Sequence, residues 1–373
     1  MKDNYFQLLP VEILDNILVR LPTEALFRFK CVSKHWNRLI LNPQIMKSRS
    51  RRMILLPVQP FYAMNNACGA HGPYCHCNAG STIMLRSPPG IPEGTKVTIV
   101  GTINGVVLLL IHRSQGHNMM LYNPFTGAFK ILSDPPLENH YSGSYVYGFG
   151  YDTLTPHDVK IVRLRAYMDD TNSRSRPCDI LSLKNGSWST PLKLSGDYVF
   201  FEYSGVFVNG FLFWIASDSE HRVLVVALDL KGMVFSEIQL PPNRLFSRFP
   251  LGKINGNLCM ICYERNSVGY YEVWALNEED GGTKSWSFVN LSTSILRGRH
   301  HNDVSLMCFL DEGKLIQLRR NNRRLVIYNL LNDTQKIYLY SVDLTSLAQV
   351  RSPLAVEYVE SLMSPSDLCS GFV

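Results

Sequence analysis

Cysteine and histidine crowd into one stretch of this chain: Cys68, His71, Cys75, His76 and Cys77 all fall between Phe61 and Gly80. Thiolates and imidazoles suit zinc, but adjacent ligands point in different directions and no Cys-x-x-Cys knuckle is present. The stretch reads as a Gly/Asn-rich loop with reduced cysteines, so neither a metal nor a cofactor is assigned. His300–His301 could serve as base or ligand, yet the pair lies in a polar connection and reads as solvated. Gly148-Phe149-Gly150 is half of a dinucleotide fingerprint, but the helix that should follow is replaced by Val159 to Leu164, a strand pattern. No Gly-x-Ser-x-Gly elbow, phosphate-cradling Gly-Lys-Ser/Thr loop or His-Glu-x-x-His occurs. The chain is therefore read as having no catalytic residues.

Chemistry being thin, the elements themselves carry the reading. Pro10 and Pro22 each suit a first helical position, where φ is preset and the missing N–H is not needed. Between them Ile13, Leu14, Ile17, Leu18 and Leu21 recur at helical spacing. A second short helix carries Leu26, Phe27 and Phe29. Ser33 can cap a third, which holds Trp36, Leu39 and Ile40 and stops at Asn42-Pro43. So small a module exposes more apolar surface than it can enclose, which implies a partner. The competing readings are a helical hairpin packed on the rest of the chain and a helix-turn-helix DNA reader. For the latter Lys34, Asn37 and Arg38 are thin support.

Past Pro43 the helical period gives way to alternation and turn dipeptides, after a short basic hinge of Lys47, Arg49, Arg51 and Arg52. A unit of four strands then recurs, starting near Thr102, Tyr147, Val206, Lys253 and Ser305. Asn104-Gly105, Asn209-Gly210 and Asn255-Gly256 mark equivalent hairpins, because a two-residue turn needs φ > 0. The spacing is roughly 45–55 residues, the size of one propeller blade, and radial stacking shields most sheet edges. Met53 to Leu56 with Ser81 to Leu85 form a degenerate sixth unit. Leu354 to Val359 could supply its missing strand and join the two ends of the ring. A two-sheet sandwich or barrel is the competing architecture. Four of the five tryptophans, Trp188, Trp214, Trp274 and Trp286, are read as filling blade interfaces.

Two resemblances follow from these residues. Leu9-Pro10, Glu12, Ile13, Leu14, Ile17, Leu18, Leu21-Pro22, Leu26, Arg28, Cys31-Val32-Ser33-Lys34 and Trp36 resemble an F-box. Leu8 and Glu24 depart from its commoner residues without removing an apolar anchor. The remainder resembles the kelch-like F-box-associated interaction domain of plants, the receptor group of S-locus and immune-regulating F-box proteins. It does so through Asn104-Gly105, Tyr122-Asn123-Pro124, Gly148 to Asp152 with Lys160-Ile161-Val162, Val208-Asn209-Gly210 with Trp214, Leu228-Asp229-Leu230, Leu240-Pro241, Val273-Trp274 and Trp286. The segment 61–80 is foreign to that pattern. The resemblance implies a mainly β protein with a small all-α N-terminal module: a three-helix F-box, then a β-propeller-like domain of about six four-stranded blades. Its divisions are an F-box at 1–46, the basic hinge at 47–52, a substrate-binding domain at 53–363 and a flexible tail at 364–373.

The implied function is substrate recognition in a Skp-cullin-F-box type ubiquitin ligase, the alternative being a non-degradative interaction scaffold. The adaptor-binding residues carried over are Leu9, Pro10, Ile13, Leu14, Ile17, Leu21, Pro22, Leu26, Val32 and Trp36, which dock a Skp-type adaptor and through it a cullin. For the target, the connections between second and third strands and between repeats are the longer ones, and in a propeller these share one end. There the later repeats carry Arg244, Arg248, Arg265, Arg297, Arg299, Arg319, Arg320, Arg323 and Arg324, opposed chiefly by Glu264 and Asp303. They read either as solvated loop charges or as a basic sector for an acidic or phosphorylated target segment, since Arg grips carboxylate and phosphate bidentately.

Composition agrees. A chain of 373 residues can bury a large core, and its net charge of +6 does not by itself point to nucleic acid. No run of eighteen apolar residues suggests a membrane span, and Met1 to Tyr5 lacks a secretory h-region. Nine scattered cysteines are an odd number, and Cys259, Cys262 and Cys308 sit in apolar runs. This fits a reducing compartment, cytoplasm and/or nucleus, rather than a disulfide framework.

Overall fold

The computed structural model describes residues 10–21, 23–40, 52–56, 62–65, 74–77, 82–85, 87–92, 95–113, 117–133, 135, 144–167, 175–242, 244–246, 251–264, 271–278, 284–289, 304–311, 313–319, 324–329, 334–339 and 356–371. Three helices come first: α1 (Val11–Arg20), α2 (Thr23–Phe29) and α3 (Lys34–Ile40). Pro10 stands at the N-cap of α1, and α1 ends at Leu21, whose extended backbone suits a residue before proline. Ser33 does cap α3, its hydroxyl accepting from the Trp36 N–H at 3.2 Å.

The strands that follow are β1 (Arg52–Leu56), β2 (Tyr62–Asn65), β3 (Tyr74–Cys77) and β4 (Thr82–Met84). Sheet I holds β5 (Val97–Ile103), β6 (Val106–His112), β7 (His117–Tyr122) and β8 (Phe129–Ile131). Sheet II holds β9 (Tyr145–Tyr151), β10 (Val159–Arg165), β11 (Ser175–Ser182) and β12 (Ser187–Ser195). In sheet III the inner strand is broken into β13 (Val199–Phe200) and β14 (Val206–Val208), both paired to β15 (Phe211–Ser217), with β16 (Val223–Asp229) and β17 (Val234–Gln239) outside. Sheet IV repeats the break: β18 (Arg244–Phe246) and β19 (Gly252–Ile254) pair β20 (Asn257–Glu264), followed by β21 (Tyr271–Glu278) and β22 (Lys284–Val289). Sheet V runs β23 (Val304–Leu310), β24 (Lys314–Arg319), β25 (Arg324–Asn329), β26 (Thr334–Leu339), and β3 joins its outer edge in parallel. Sheet VI is made from both ends of the sequence: β27 (Val356–Val359) is innermost, then β1, β2 and β4. The helix α4 (Pro365–Cys369) follows. No helix among the described residues is long and apolar enough to cross a membrane.

Inner strands touch in cyclic order, β5 to β9, β9 to β14, β14 to β19, β19 to β23, β23 to β27 and β27 back to β5. A ring of that kind is a β-propeller, not a sandwich. Strand periodicity explains its core. Leu108 and Leu110 of β6 face sheet II, in a cluster with Phe149 and Ile161. Val107, Leu109 and Ile111 face sheet VI, in a cluster with Met53, Leu55 and Tyr358. Burial on both faces is why this strand is one unbroken apolar run. Sheets II and III meet around Trp214, and sheets III and IV around Met260, with Trp274 and Trp286 packed alongside. The hairpin turns behave as their chemistry requires, Asn104, Asn209 and Asn255 having φ of 50, 48 and 49° and each preceding a positive-φ glycine.

Three boundaries differ from the sequence reading. Arg52 is the first residue of β1, not part of a hinge; its guanidinium pairs with Glu357 at 3.2 Å and Asp311 at 3.4 Å. The segment 61–80 is not simply a loop, because it contains β2 and β3, although Cys68 and His71 lie outside the described residues. Residues 364–371 are not a flexible tail. Ser364 and Asp367 form a capping box, Pro365 opens the helix and Leu368 is fully buried against sheets I and II.

Candidate interaction surfaces

The ring has two unlike ends. At one lie the short turns, such as Asn104-Gly105, Asn123 to Gly127 and Asn255-Gly256; at the other lie the longer connections. The helical module sits on the turn end. Leu18, Leu26 and Ile40 share a buried cluster with Leu362, just beyond β27, and Phe125 of the β7–β8 turn packs against it. Lys30 is half-buried, and burial lowers its pKa while the neighbouring Asp367 raises it. The strap that makes the seat is itself anchored: the Asn123 side-chain amide donates to the Ser361 and Met363 carbonyls, both at 2.9 Å.

This seating sorts the residues assigned to the adaptor. Pro10, Ile13, Ile17 and Val32 are exposed, Ile13 by 46% and Ile17 by 43%. Leu14 and Leu26 are not available to a partner: at 6% and 0% exposure they face inward, Leu14 one helical turn before Leu18 and Leu26 in the buried cluster with it. Leu21 and Trp36 are half-buried and pack on the same cluster, with the Trp36 ring 5.6 Å from that of Phe29. Leu9 and Pro22 lie outside the described residues. Sequence reasoning listed one stripe; the structure divides it into an inner row and an outer row about one residue apart, as a 3.6-residue period allows.

On the long-connection end, six of the nine arginines, Arg248, Arg265, Arg297, Arg299, Arg320 and Arg323, lie outside the described residues, as do His300 and His301. Arg319 and Arg324 are strand residues in direct register across the β24–β25 pair, flanking that connection. Arg244 is no loop charge. It opens β18, its Nη2 donates to Glu272 Oε1 at 3.2 Å, and its guanidinium lies 5.6 Å from the Trp274 ring centroid. The opposing acid is Glu272, which sequence reading missed because its partner is 28 residues away.

Two features at this end had no sequence signal. His112 and His117 stand directly opposite each other on β6 and β7, ring centroids 4.4 Å apart. Burial, then His117 and Lys96, pushes His112 down to about 4; burial and Lys96 lower His117 as well. Both rings are neutral at neutral pH. The break in sheet III is the second feature. Residues 202–205 leave the inner edge of β15 and cross to β9, where the Tyr147 N–H donates to the Tyr203 carbonyl at 2.8 Å and the Gly205 N–H to the Tyr147 carbonyl at 2.7 Å. A side groove of about 420 Å³ between β12 and β17 is lined by Leu192, Leu194, Met233 and Phe235, with Tyr198 donating to Glu237.

Apolar side chains thus stay exposed on helices that are seated on a β-propeller. Residues 6–48 match the F-box domain, and residues 62–365 match the F-box associated beta propeller domain. The chain belongs to the F-box proteins that carry this associated propeller. It is 27% identical over 375 residues to the F-box/kelch-repeat protein At3g23880 of Arabidopsis thaliana, with 96% of each chain covered. To the F-box protein CPR1 of Arabidopsis thaliana it is 23% identical over 348 residues, covering 86% of this chain and 82% of the relative. Among solved structures, a chain of the nidogen/laminin complex has a TM-score of 0.46 at 10% identity, covering 83% of this chain and 99% of that one.

Proposed function

We propose that this chain is the substrate-recognition subunit of a Skp-cullin-F-box type ubiquitin ligase, acting in the cytoplasm and/or nucleus. The observation that carries the reading is the division of α1. Leu18 helps to seat the module on the propeller and Leu14, one turn before it, is buried too, whereas Ile13 and Ile17 stay exposed. A surface of this kind suits a Skp-type adaptor, whose interface would centre on a few buried anchors. We read the six sheets as six blades, with the target on the long-connection end, opposite the adaptor. Ubiquitin transfer then occurs on other subunits, this chain supplying proximity and orientation.

The test is the double substitution Ile13→Asp with Ile17→Asp, assayed by capture of a purified Skp-type adaptor and cullin. Because both side chains are exposed, the β-rich region should keep its circular dichroism while adaptor capture disappears. Undiminished capture would overturn the assignment. Target half-life in cells carrying wild type or the double variant separates a degradative receptor from a scaffold: only the former lengthens it.

A further inference from the structure

Asn123, of the Tyr122-Asn123-Pro124 motif, is fully buried in the β7–β8 turn, where a polar side chain would ordinarily meet solvent. Unlike Asn104, Asn209 and Asn255, it is not there for a positive φ. Its backbone is held by the turn itself: the Asn123 N–H donates to the Ala128 carbonyl at 2.8 Å, and its carbonyl accepts from the Gly127 N–H at 2.9 Å. The side chain reaches further. Oδ1 accepts from the Phe125 and Thr126 N–H groups at 2.9 and 3.1 Å, an Asx turn, and from the Tyr358 hydroxyl of β27 at 3.4 Å. The amide donates to the Ser361 and Met363 carbonyls, as described above.

Those two carbonyls flank Leu362, which is buried in the cluster of Leu18, Leu26 and Ile40. The amide therefore grips the strap on either side of a residue that the helices rest on. Other contacts tighten the grip. The Met363 N–H donates to the Ser361 hydroxyl at 3.0 Å, and the β5–β6 turn lies so close behind that a Cβ on Gly105 would meet Ser361. Phe125, whose N–H Oδ1 holds, packs on the same helical cluster. Tyr358 belongs to the strand that completes sheet VI. One short side chain thus touches the strand that closes the ring, the strap beneath the helices and the turn beside them. Asparagine suits the place because it offers two donors and an acceptor oxygen within one planar group, and each buried partner left unmatched would be costly.

We propose that Asn123 is the positioning residue of a joint that holds the F-box helices in one orientation to the closed propeller. Its consequence rests on the reading of the chain as a receptor: the joint fixes where an adaptor stands relative to a target, and a ring without β27 leaves that unfixed. A subunit that works by proximity depends on such a fixed placement.

The test uses the full-length chain with spin-labelled unnatural residues in place of His35, exposed in α3, and Lys231, exposed in the turn after β16. Double electron–electron resonance reads the distance between them. Wild-type Asn123 should give one narrow distribution at neutral and acid pH. Asn123→Asp keeps an oxygen for the Phe125 and Thr126 N–H groups but, ionised, has no proton for the two strap carbonyls, so the turn survives and the strap is released. The distribution should broaden, and exchange of the α2 and α3 amides should accelerate about tenfold or more, as expected for one or two buried hydrogen bonds lost. Lowering the pH to about 5 should narrow the distribution again, because a buried carboxyl facing two carbonyl oxygens takes up a proton readily and then has an O–H to donate. Tyr358 stays out of that titration, since burial raises its pKa. Asn123→Ala, with nothing to protonate, should stay broad at both pH values. A narrow distribution for Asn123→Asp at neutral pH, or a broad one indifferent to pH, would overturn the proposal. Loss of β-type circular dichroism in both variants would overturn it too, since Asn123 would then hold the fold and not an orientation. Adaptor capture is read separately on the same samples: its absence from the wild type counts against the receptor reading, while the distances decide the joint.

Discussion

Replacing Gly105 by Ala tests the ring closure with a built-in control. Gly105 has φ +77°, and a Cβ there would lie 2.2 Å from Ser361 Cβ and 2.6 Å from the Val359 carbonyl oxygen. Gly256 occupies the equivalent turn of sheet IV at φ +80°, with nothing within 4 Å of the added atom. Both substitutions incur the left-handed backbone cost of roughly 1–2 kcal/mol. Only Gly105→Ala adds overpacking of about 1–3 kcal/mol, because the obstacle includes main chain that cannot rotate away. With an unfolding entropy of about 2.1 cal/mol/K per residue over some 300 residues, 1 kcal/mol corresponds to about 1.5 °C. Gly105→Ala should therefore lower Tm by about 3–8 °C and Gly256→Ala by about 2–3 °C. Differential scanning calorimetry at matched scan rates measures both, and limited proteolysis should show α4 released earlier in the first variant alone. Equal shifts for the two would refute the claim that residues 359–361 press on the Asn104-Gly105 turn.

Leu362→Ala, removing a side chain 2% exposed, should cost about 2–5 kcal/mol locally and unseat the F-box helices; hydrogen exchange of α2 and α3 should accelerate while adaptor capture through Ile13 and Ile17 persists. Burial tends to raise the Asp311 pKa, but the Gly256 N–H, Lys253 and Arg52 outweigh it and hold the carboxyl below the usual carboxylate range. Stability from this depressed group is present above its unfolded pKa of about 3.9 and lost as pH falls through the folded value; Asp311→Asn should remove part of the acid sensitivity seen in pH-dependent urea melts. Glu202 has the opposite sign. Its folded state keeps the proton up to about 8, so stability should decline as pH rises from about 4.5 to 8, and Glu202→Gln should flatten that decline. An unchanged slope in the variant would show that the carboxyl is solvated.

Local chemistry was legible in the sequence, and long-range partnership was not. Asn104, Asn209 and Asn255 announce their turns because the φ > 0 requirement is met by the two residues themselves. The Ser33 cap was readable for the same reason. The α4 helix was readable too, its Ser364, Pro365 and Asp367 forming a start signal that was passed over because the helix is only 5 residues long. Arg52 was read as a hinge charge and Arg244 as a loop charge because Glu357, Asp311 and Glu272 reach them only once strands distant in sequence are assembled. Neighbouring residues of one helix, Ile13 and Leu14, ended on different surfaces; which row faces inward depends on Leu362, which lies far along the chain. The parallel addition of β3 to β26 has no signal at all in its own residues.

The closure of sheet VI has a consequence in time. Arg52 and Glu357, which pair across it, are 305 residues apart. At a synthesis rate of about 5–20 residues per second, β27 follows β1 by roughly 15–60 seconds. Through that interval Met53, Ile54 and Leu55, at most 3% exposed in the finished ring, have no inner strand to cover them, and Leu18 and Leu26 have no Leu362. Such surface on a growing chain is what chaperones bind and what aggregates form from. Ile13 and Ile17 wait for nothing made later, since they face away from the seat. The adaptor surface proposed above is therefore ready while the ring is still open.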